Sequence, residues 1–278
     1  MQCSPSGTYR GAIDTLTKTI RNEGFLALYK GATPPAIGWA GIDSVLLGSL
    51  HNYRLFLLQH GMTEPTPQSG VPRLTLLGHG IAGLFAGLTS AIVATPVELL
   101  KGMFLKLQLQ SQKLVRDRQF KSPVDCARQV IRVEGITGMW SGLTGSLAFR
   151  SNFFWMFLSF EALMRVLSQT QGSRFEISTG AANFISGGLG SFAFWIMAIP
   201  ADNVKNRMMS HPYPLPYPSK PNKPGFSATV RNIYAQQGFG GFFRGLGPCL
   251  VRAFPTNACA FFVYEGLMRV LGAEKTRH

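Results

Sequence analysis

Three stretches of this chain end in the same way. RNEGFLALYKG (21–31), RVEGITGMWSG (132–142) and AQQGFGGFFRG (235–245) each set two glycines seven residues apart: Gly24 and Gly31, Gly135 and Gly142, Gly238 and Gly245. An aromatic residue (Tyr29, Trp140, Phe243) stands two places before the second glycine, and the copies are offset by 111 and 103 residues. A second pattern, Pro-x-acid-x-x-Lys, closes an apolar run twice, in TPVELLK (95–101) and IPADNVK (199–205), 104 residues apart. A period this long constrains the fold more than any single motif does. Each unit is one supersecondary block that cannot bury its apolar faces alone, so the copies must pack on one another. One unit reads as a Gly-rich apolar helix, the Pro-x-acid-x-x-Lys signature, a polar loop, a short amphipathic helix, the glycine pair and a second apolar helix.

The chain divides accordingly into residues 1–65, 66–172 and 173–278. The first block holds only an amphipathic helix and a second apolar helix, so its leading helix and signature are expected to be missing. Five apolar stretches of about 20 residues or more fall at 32–58, 74–100, 142–164, 178–200 and 246–271, one fewer than three full units require. The second contains Gly78, Gly80, Gly83 and Gly87, and the fourth Gly180, Gly187, Gly188 and Gly190. Small residues at three- and four-residue spacing let membrane helices approach closely, so these two are expected to pack tightly.

Charge alone points elsewhere. With 27 Lys and Arg against 13 Asp and Glu, the net charge is +14, a value that fits nucleic acid or an anionic membrane. Composition separates the two. Charged residues make up 14% and hydrophobic ones 46%, too few charges to solvate the surface of a soluble domain, which averages about 25%. Together with the apolar runs and the lack of an RNP motif, this argues for a membrane protein and against a nucleic-acid partner. Cys3, Cys126, Cys249 and Cys259 form no CxxC pair and no zinc spacing, and no P-loop, GxSxG or HExxH occurs. Neither an enzyme nor a cofactor is expected. The first residues show neither a signal peptide nor an Arg-rich presequence.

With its period of about a hundred residues, and with Pro-Val-Glu-Leu-Leu-Lys and Pro-Ala-Asp-Asn-Val-Lys closing the odd helices, the chain resembles the mitochondrial carrier family of inner-membrane solute transporters. VRAFPTNACAFFVYE (251–265) is similar to the last helix of the carnitine/acylcarnitine and ornithine (basic amino acid) carriers. Gln2 resembles the glutamine that often follows the signature, so Met1 is expected to be an internal methionine of a longer carrier. The resemblance implies an all-α membrane protein: three repeats of two transmembrane helices plus a matrix amphipathic helix, the first helix missing. It also implies a multi-pass protein of the mitochondrial inner membrane that works as an antiporter.

It further implies two gates. On the matrix side, Pro96, Glu98 and Lys101 and their counterparts Pro200, Asp202 and Lys205 belong to a charge ring, in which Glu98 can pair with Lys205 across repeats. Acid and lysine three residues apart are expected to seek partners on adjacent helices rather than each other. The same residues also read as a kinked helix end with solvated charges. On the cytoplasmic side the gate residues are Glu161 with Arg165 and Glu265 with Arg269, a spacing that equally fits local i,i+4 pairing. The first unit has His51 where the acid would stand.

The resemblance places the substrate seven or eight residues beyond the last repeat glycine: Gly38 and Trp39, Phe149 and Arg150, Arg252 and Ala253. The second copy is one residue shorter between Gly142 and Glu161 than its counterparts. Ionisable residues inside membrane helices default to a pathway role, which selects Arg150, Arg252 and Asp43, with Trp39 beside them. Two arginines suit a carboxylate and Asp43 an ammonium, as in carnitine or an amino acid. Snorkelling to the interface is the bland reading for either arginine. The Lys and Arg at 101–132 and 205–231 form a belt that suits an anionic lipid such as cardiolipin, and HPYPLPYPSKPNKPG (211–225) reads as an extended connector. The resemblance implies a monomer. The rival expectations are a truncated carrier-derived membrane protein that does not transport, or a carrier of a different carboxylate substrate.

Overall fold

A computed structural model of the chain describes Arg21, residues 33–66, 70–110, 123–169, 177–209 and 225–253, and Thr256. In chain order these form α1 (Thr33–Gln59), β1 (Thr63–Pro65), β2 (Pro72–Leu74), α2 (Leu76–Gln110), α3 (Pro123–Glu134), a 3₁₀ turn (Ile136–Trp140), α4 (Leu143–Arg150), α5 (Phe153–Ser168), α6 (Thr179–Met209), α7 (Phe226–Gln237) and a second 3₁₀ turn (Phe239–Phe243). Residues 246–253 continue as helix. The helical unit found at 76–168 recurs at 179–253, as the repeat requires.

The repeat glycines have a conformational reason. Gly135, Gly142, Gly238 and Gly245 all have positive φ, 76°, 91°, 62° and 91°, a region that side chains strongly disfavour. Each pair brackets a 3₁₀ turn, so the chain leaves an amphipathic helix and enters the next apolar helix through two left-handed corners. Val130 and Ile233, 103 residues apart, are the buried apolar anchors of α3 and α7.

The signature does not end its helix. Both α2 and α6 continue past their prolines, to Gln110 and Met209, with Pro96 and Pro200 inside the helix. A proline costs one i→i−4 bond and frees one carbonyl, and a helix survives where a neighbour takes that carbonyl. Here Pro96 frees the carbonyl of Ile92, and the Trp140 indole donates to it at 2.9 Å. The aromatic of the repeat motif thereby becomes, in this copy, the partner of the proline.

Glycines on α2 set its distance from the next helix pair. A Cβ at Gly80 would lie 2.8 Å from the Phe154 ring and one at Gly83 2.6 Å from Phe157. At Gly87 it would overlap the Arg150 carbonyl oxygen. The helices pack α1 on α2, α2 on α4 and α5, and these on α6. Leu46, Leu50, Ala82 and Ala86 form one core cluster, and Phe149, Phe194 and Ala198 another. Two helical stretches among the described residues are long and apolar enough to cross a membrane, Leu76–Lys101 and Gly180–Met209. The expected stretch 142–164 is divided between α4 and α5, which meet at a turn at Ser151 and Asn152. Residues 254–255 and 257–271 of the fifth lie outside the described residues.

Between α1 and α2 lies a feature with no counterpart in the sequence reading, an antiparallel β1–β2 hairpin pairing Thr63 with Leu74, Glu64 with Arg73 and Pro65 with Pro72.

Candidate functional site

At the signature end, four charges drawn from three helices converge. Glu98 of α2 is the hub. Its Oε1 accepts from Arg150 Nη2 of α4 at 3.0 Å, and its Oε2 lies 3.1 Å from Lys205 Nζ of α6. The second contact is ionic, because Oε2 receives no aligned hydrogen bond. Lys205 also meets Asp202 at 3.1 Å within its own helix. Lys205 thus meets the expected partner on an adjacent helix and also the acid three residues before it, since residues i and i+3 are surface neighbours on a helix. Phe149 supplies a third side, its ring centroid 4.0 Å from Lys205 Nζ.

The cluster is dry. The Arg150 side chain is 2% exposed, Lys205 7% and Glu98 12%. Buried charges are tolerated only with close partners, and Arg150 has a second one, donating from Nη1 to Ser90 Oγ at 3.0 Å, while its Nε has none. Lys101 takes no part; it is exposed, with Nζ 5.4 Å from the Trp39 ring centroid.

Arg252 differs from Arg150 in every respect. It is exposed, and its guanidinium stands 5.5 Å from the Trp195 ring centroid. Trp195 and Phe149 both stand edge to face with the Phe194 ring, in an aromatic group that reaches the Lys205 side of the cluster. Asp43 and Trp39 are exposed on α1, and Asp43 lies within coulombic range of Arg150. The four residues expected at the substrate level thus separate into one arginine locked among helices and a group of accessible side chains.

At the opposite end, Glu161 and Arg165 of α5 pair at 3.0 Å across one turn. Arg165 also contacts Glu64 of the hairpin and donates to the Leu74 carbonyl at 2.7 Å. Glu64 pairs with Arg73 at 3.0 Å, and His79 Nε2 is 3.7 Å from Glu161. Glu265 and Arg269 lie outside the described residues. His51 is exposed on α1, where neighbouring Tyr53 Oη shares a hydrogen bond with Thr89 Oγ1 at 2.9 Å.

Ser90, Phe149 as a lysine partner, Trp195 and Glu64 escaped the sequence reading. Ser90 had a usable signal, since it precedes Glu98 by eight residues, just over two helical turns, and therefore lies near the same face. Glu64 had none, because its role depends on the hairpin.

The mitochondrial carrier protein family matches residues 1–61, 72–171 and 178–275. Mitochondrial substrate carrier family protein L of Dictyostelium discoideum is 32% identical over 265 residues, covering 95% of this chain and 84% of that protein. A mitochondrial carnitine/acylcarnitine carrier-like protein of Arabidopsis thaliana is 31% identical over 275 residues (95% and 85%). The mitochondrial basic amino acids transporter of Bos taurus is 28% identical over 270 residues (97% and 82%).

Proposed function

Because the chain belongs to the mitochondrial carrier family, whose members are inner-membrane transporters of small metabolites and not enzymes, we propose that it exchanges a zwitterionic or cationic metabolite, of the carnitine/acylcarnitine or basic amino acid kind, by alternating access. The observation that carries this reading is the pairing state of the two membrane arginines. Arg150 already holds a carboxylate, Glu98. Arg252 is exposed with an aromatic neighbour. An arginine facing lipid is expensive, so an exposed one belongs in a water-filled pathway, where it can take a substrate carboxylate by bidentate contact. Asp43 supplies the opposite charge for an ammonium group, and Trp39 and Trp195 supply faces that suit a cation.

In this reading Glu98, Lys205 and Asp202, with Pro96, Pro200 and Lys101 at the same level, close the matrix side. Glu161 and Arg165, with Glu265 and Arg269, serve the cytoplasmic side. The three units at 1–65, 66–172 and 173–278 rock around the central level, in a monomer whose basic loops lie on cardiolipin-rich membrane.

Purified chain in liposomes loaded with carnitine or arginine tests this directly. We expect uptake of labelled carnitine esters or cationic amino acids that depends on the internal load. Exchange of malate or ADP without either of these would overturn the substrate class.

A further inference from the structure

The even helix of the second repeat is one residue short, and the structure locates the loss. From Gly142 to Leu147 the second and third repeats share the pattern Gly-Leu-x-x-x-Leu at an offset of 103 residues; from Phe160-Glu161 to Arg165 the offset to Tyr264-Glu265 and Arg269 is 104. One position therefore disappears between Leu147 and Phe160. In a straight helix such a deletion would swing everything beyond it by about 100° and pull it back about 1.5 Å.

The turn at Ser151 and Asn152 has the geometry to offset part of both. Three bonds there have i→i−3 span: Asn152 N to Phe149 O at 3.2 Å, Phe154 N to Ser151 O at 3.1 Å and Trp155 N to Asn152 O at 3.0 Å. Ser151 (φ −58°, ψ −24°) and Asn152 (φ −71°, ψ −5°) have the shallow ψ of a tightened turn. Arg150 still ends α4 and Phe153 begins α5, so Ser151 and Asn152 alone lie between the α-helices. A 3₁₀ residue advances about 120° and 2.0 Å against about 100° and 1.5 Å in an α-helix. The two residues between the α-helices, Ser151 and Asn152, return about 40° and 1.0 Å, which offsets part of the rotation and most of the rise of the absent residue.

Asn152 holds the tightened turn. Its Nδ2 donates to the carbonyls of Ala148 at 2.9 Å and Phe149 at 3.2 Å, and Ser151 Oγ donates to Ala148 O at 2.8 Å. Gly87 admits the displaced Arg150 carbonyl against α2.

We propose that this overwound turn is a register device: Asn152 is a positioning residue that lets α4 aim Arg150 at Glu98 while α5 keeps Arg165 on the hairpin, despite the missing residue. On this account Phe149, not Arg150, is the positional counterpart of Arg252, and the two arginines face different surroundings because they stand one helical position apart.

The test needs no substrate: thermal unfolding of the purified chain in detergent. One alanine inserted between Ser151 and Asn152 restores the spacing of the other repeats and lets the turn relax to α-helix, so the midpoint should stay within about 2 °C of the parent. Asn152→Ala alone should lower it by about 5 °C through two lost hydrogen bonds, and in the inserted chain should have no effect beyond about 2 °C. The same alanine placed between Leu158 and Ser159, where the helix is regular, should cost more than about 10 °C or prevent folding. The proposal fails if the insertion at Ser151 destabilises as much as the one at Leu158, or if Asn152→Ala costs the same in both backgrounds.

Discussion

The carbonyl that Pro96 leaves open in the second repeat receives an indole N–H from Trp140. In the third repeat the corresponding aromatic, Phe243, has no donor, and the traffic reverses: Asn203 of α6 donates to the carbonyls of Phe242 and Arg244 at 2.7 and 3.1 Å. The same divergence runs through the charges. Glu98 gathers Arg150 and Lys205 into a dry cluster, whereas Asp202 holds Lys205 and Asn206 of its own helix. Arg150 is packed away and Arg252 is exposed. Two copies of one motif thus serve two duties: the second repeat supplies the acid and the buried arginine of the cluster, and the third contributes its lysine and the accessible arginine.

Substitutions that treat the repeats alike should expose the difference. Gly87→Ala places a Cβ on the Arg150 carbonyl oxygen and should cost more than about 4 kcal/mol, read as loss of folded protein on size exclusion. Gly190→Ala in the third repeat should cost little, since its Cβ would meet Met156 O at an ordinary 3.5 Å. Next in size, Arg150→Ala leaves Glu98 short of its buried partner and should destabilise by about 3–5 kcal/mol, while Arg252→Ala should fall within about 0.5 kcal/mol. Thermal unfolding in detergent measures both. Glu98→Gln should cost about 2–3 kcal/mol, against at most about 1 kcal/mol for Asp202→Asn. At the small end, Trp140→Phe should cost about 1 kcal/mol through the orphaned Ile92 carbonyl, and Phe243→Leu should cause no loss of hydrogen bonding.

What the sequence made legible follows from what a sequence encodes locally. Gly135, Gly142, Gly238 and Gly245 stood out because positive φ disfavours other residues, so glycine spacing, with the Pro-x-acid-x-x-Lys signature and the apolar runs, made the repeat and its element order legible. The Glu98–Lys205 contact was within reach of the repeat logic, because both lysine and acid recur at fixed places in each unit. Arg150 with Glu98 was not, since the pair depends on helix phase across 52 residues and on an overwound turn that the spacing betrays only as a missing position. The continuation of α2 beyond Pro96 was also hidden: a proline reads as a stop until its orphaned carbonyl is seen to have a partner. The hairpin at 63–74 left no repeat signal at all, and with it went the role of Glu64.

The division of labour between the two arginines is most directly tested by exchange in liposomes with Arg252→Ala, run beside its unfolding midpoint. The account predicts that labelled uptake is abolished while the midpoint stays within about 2 °C of the parent. Uptake that survives the substitution would contradict it, because the exposed arginine would then not be the residue that meets the substrate.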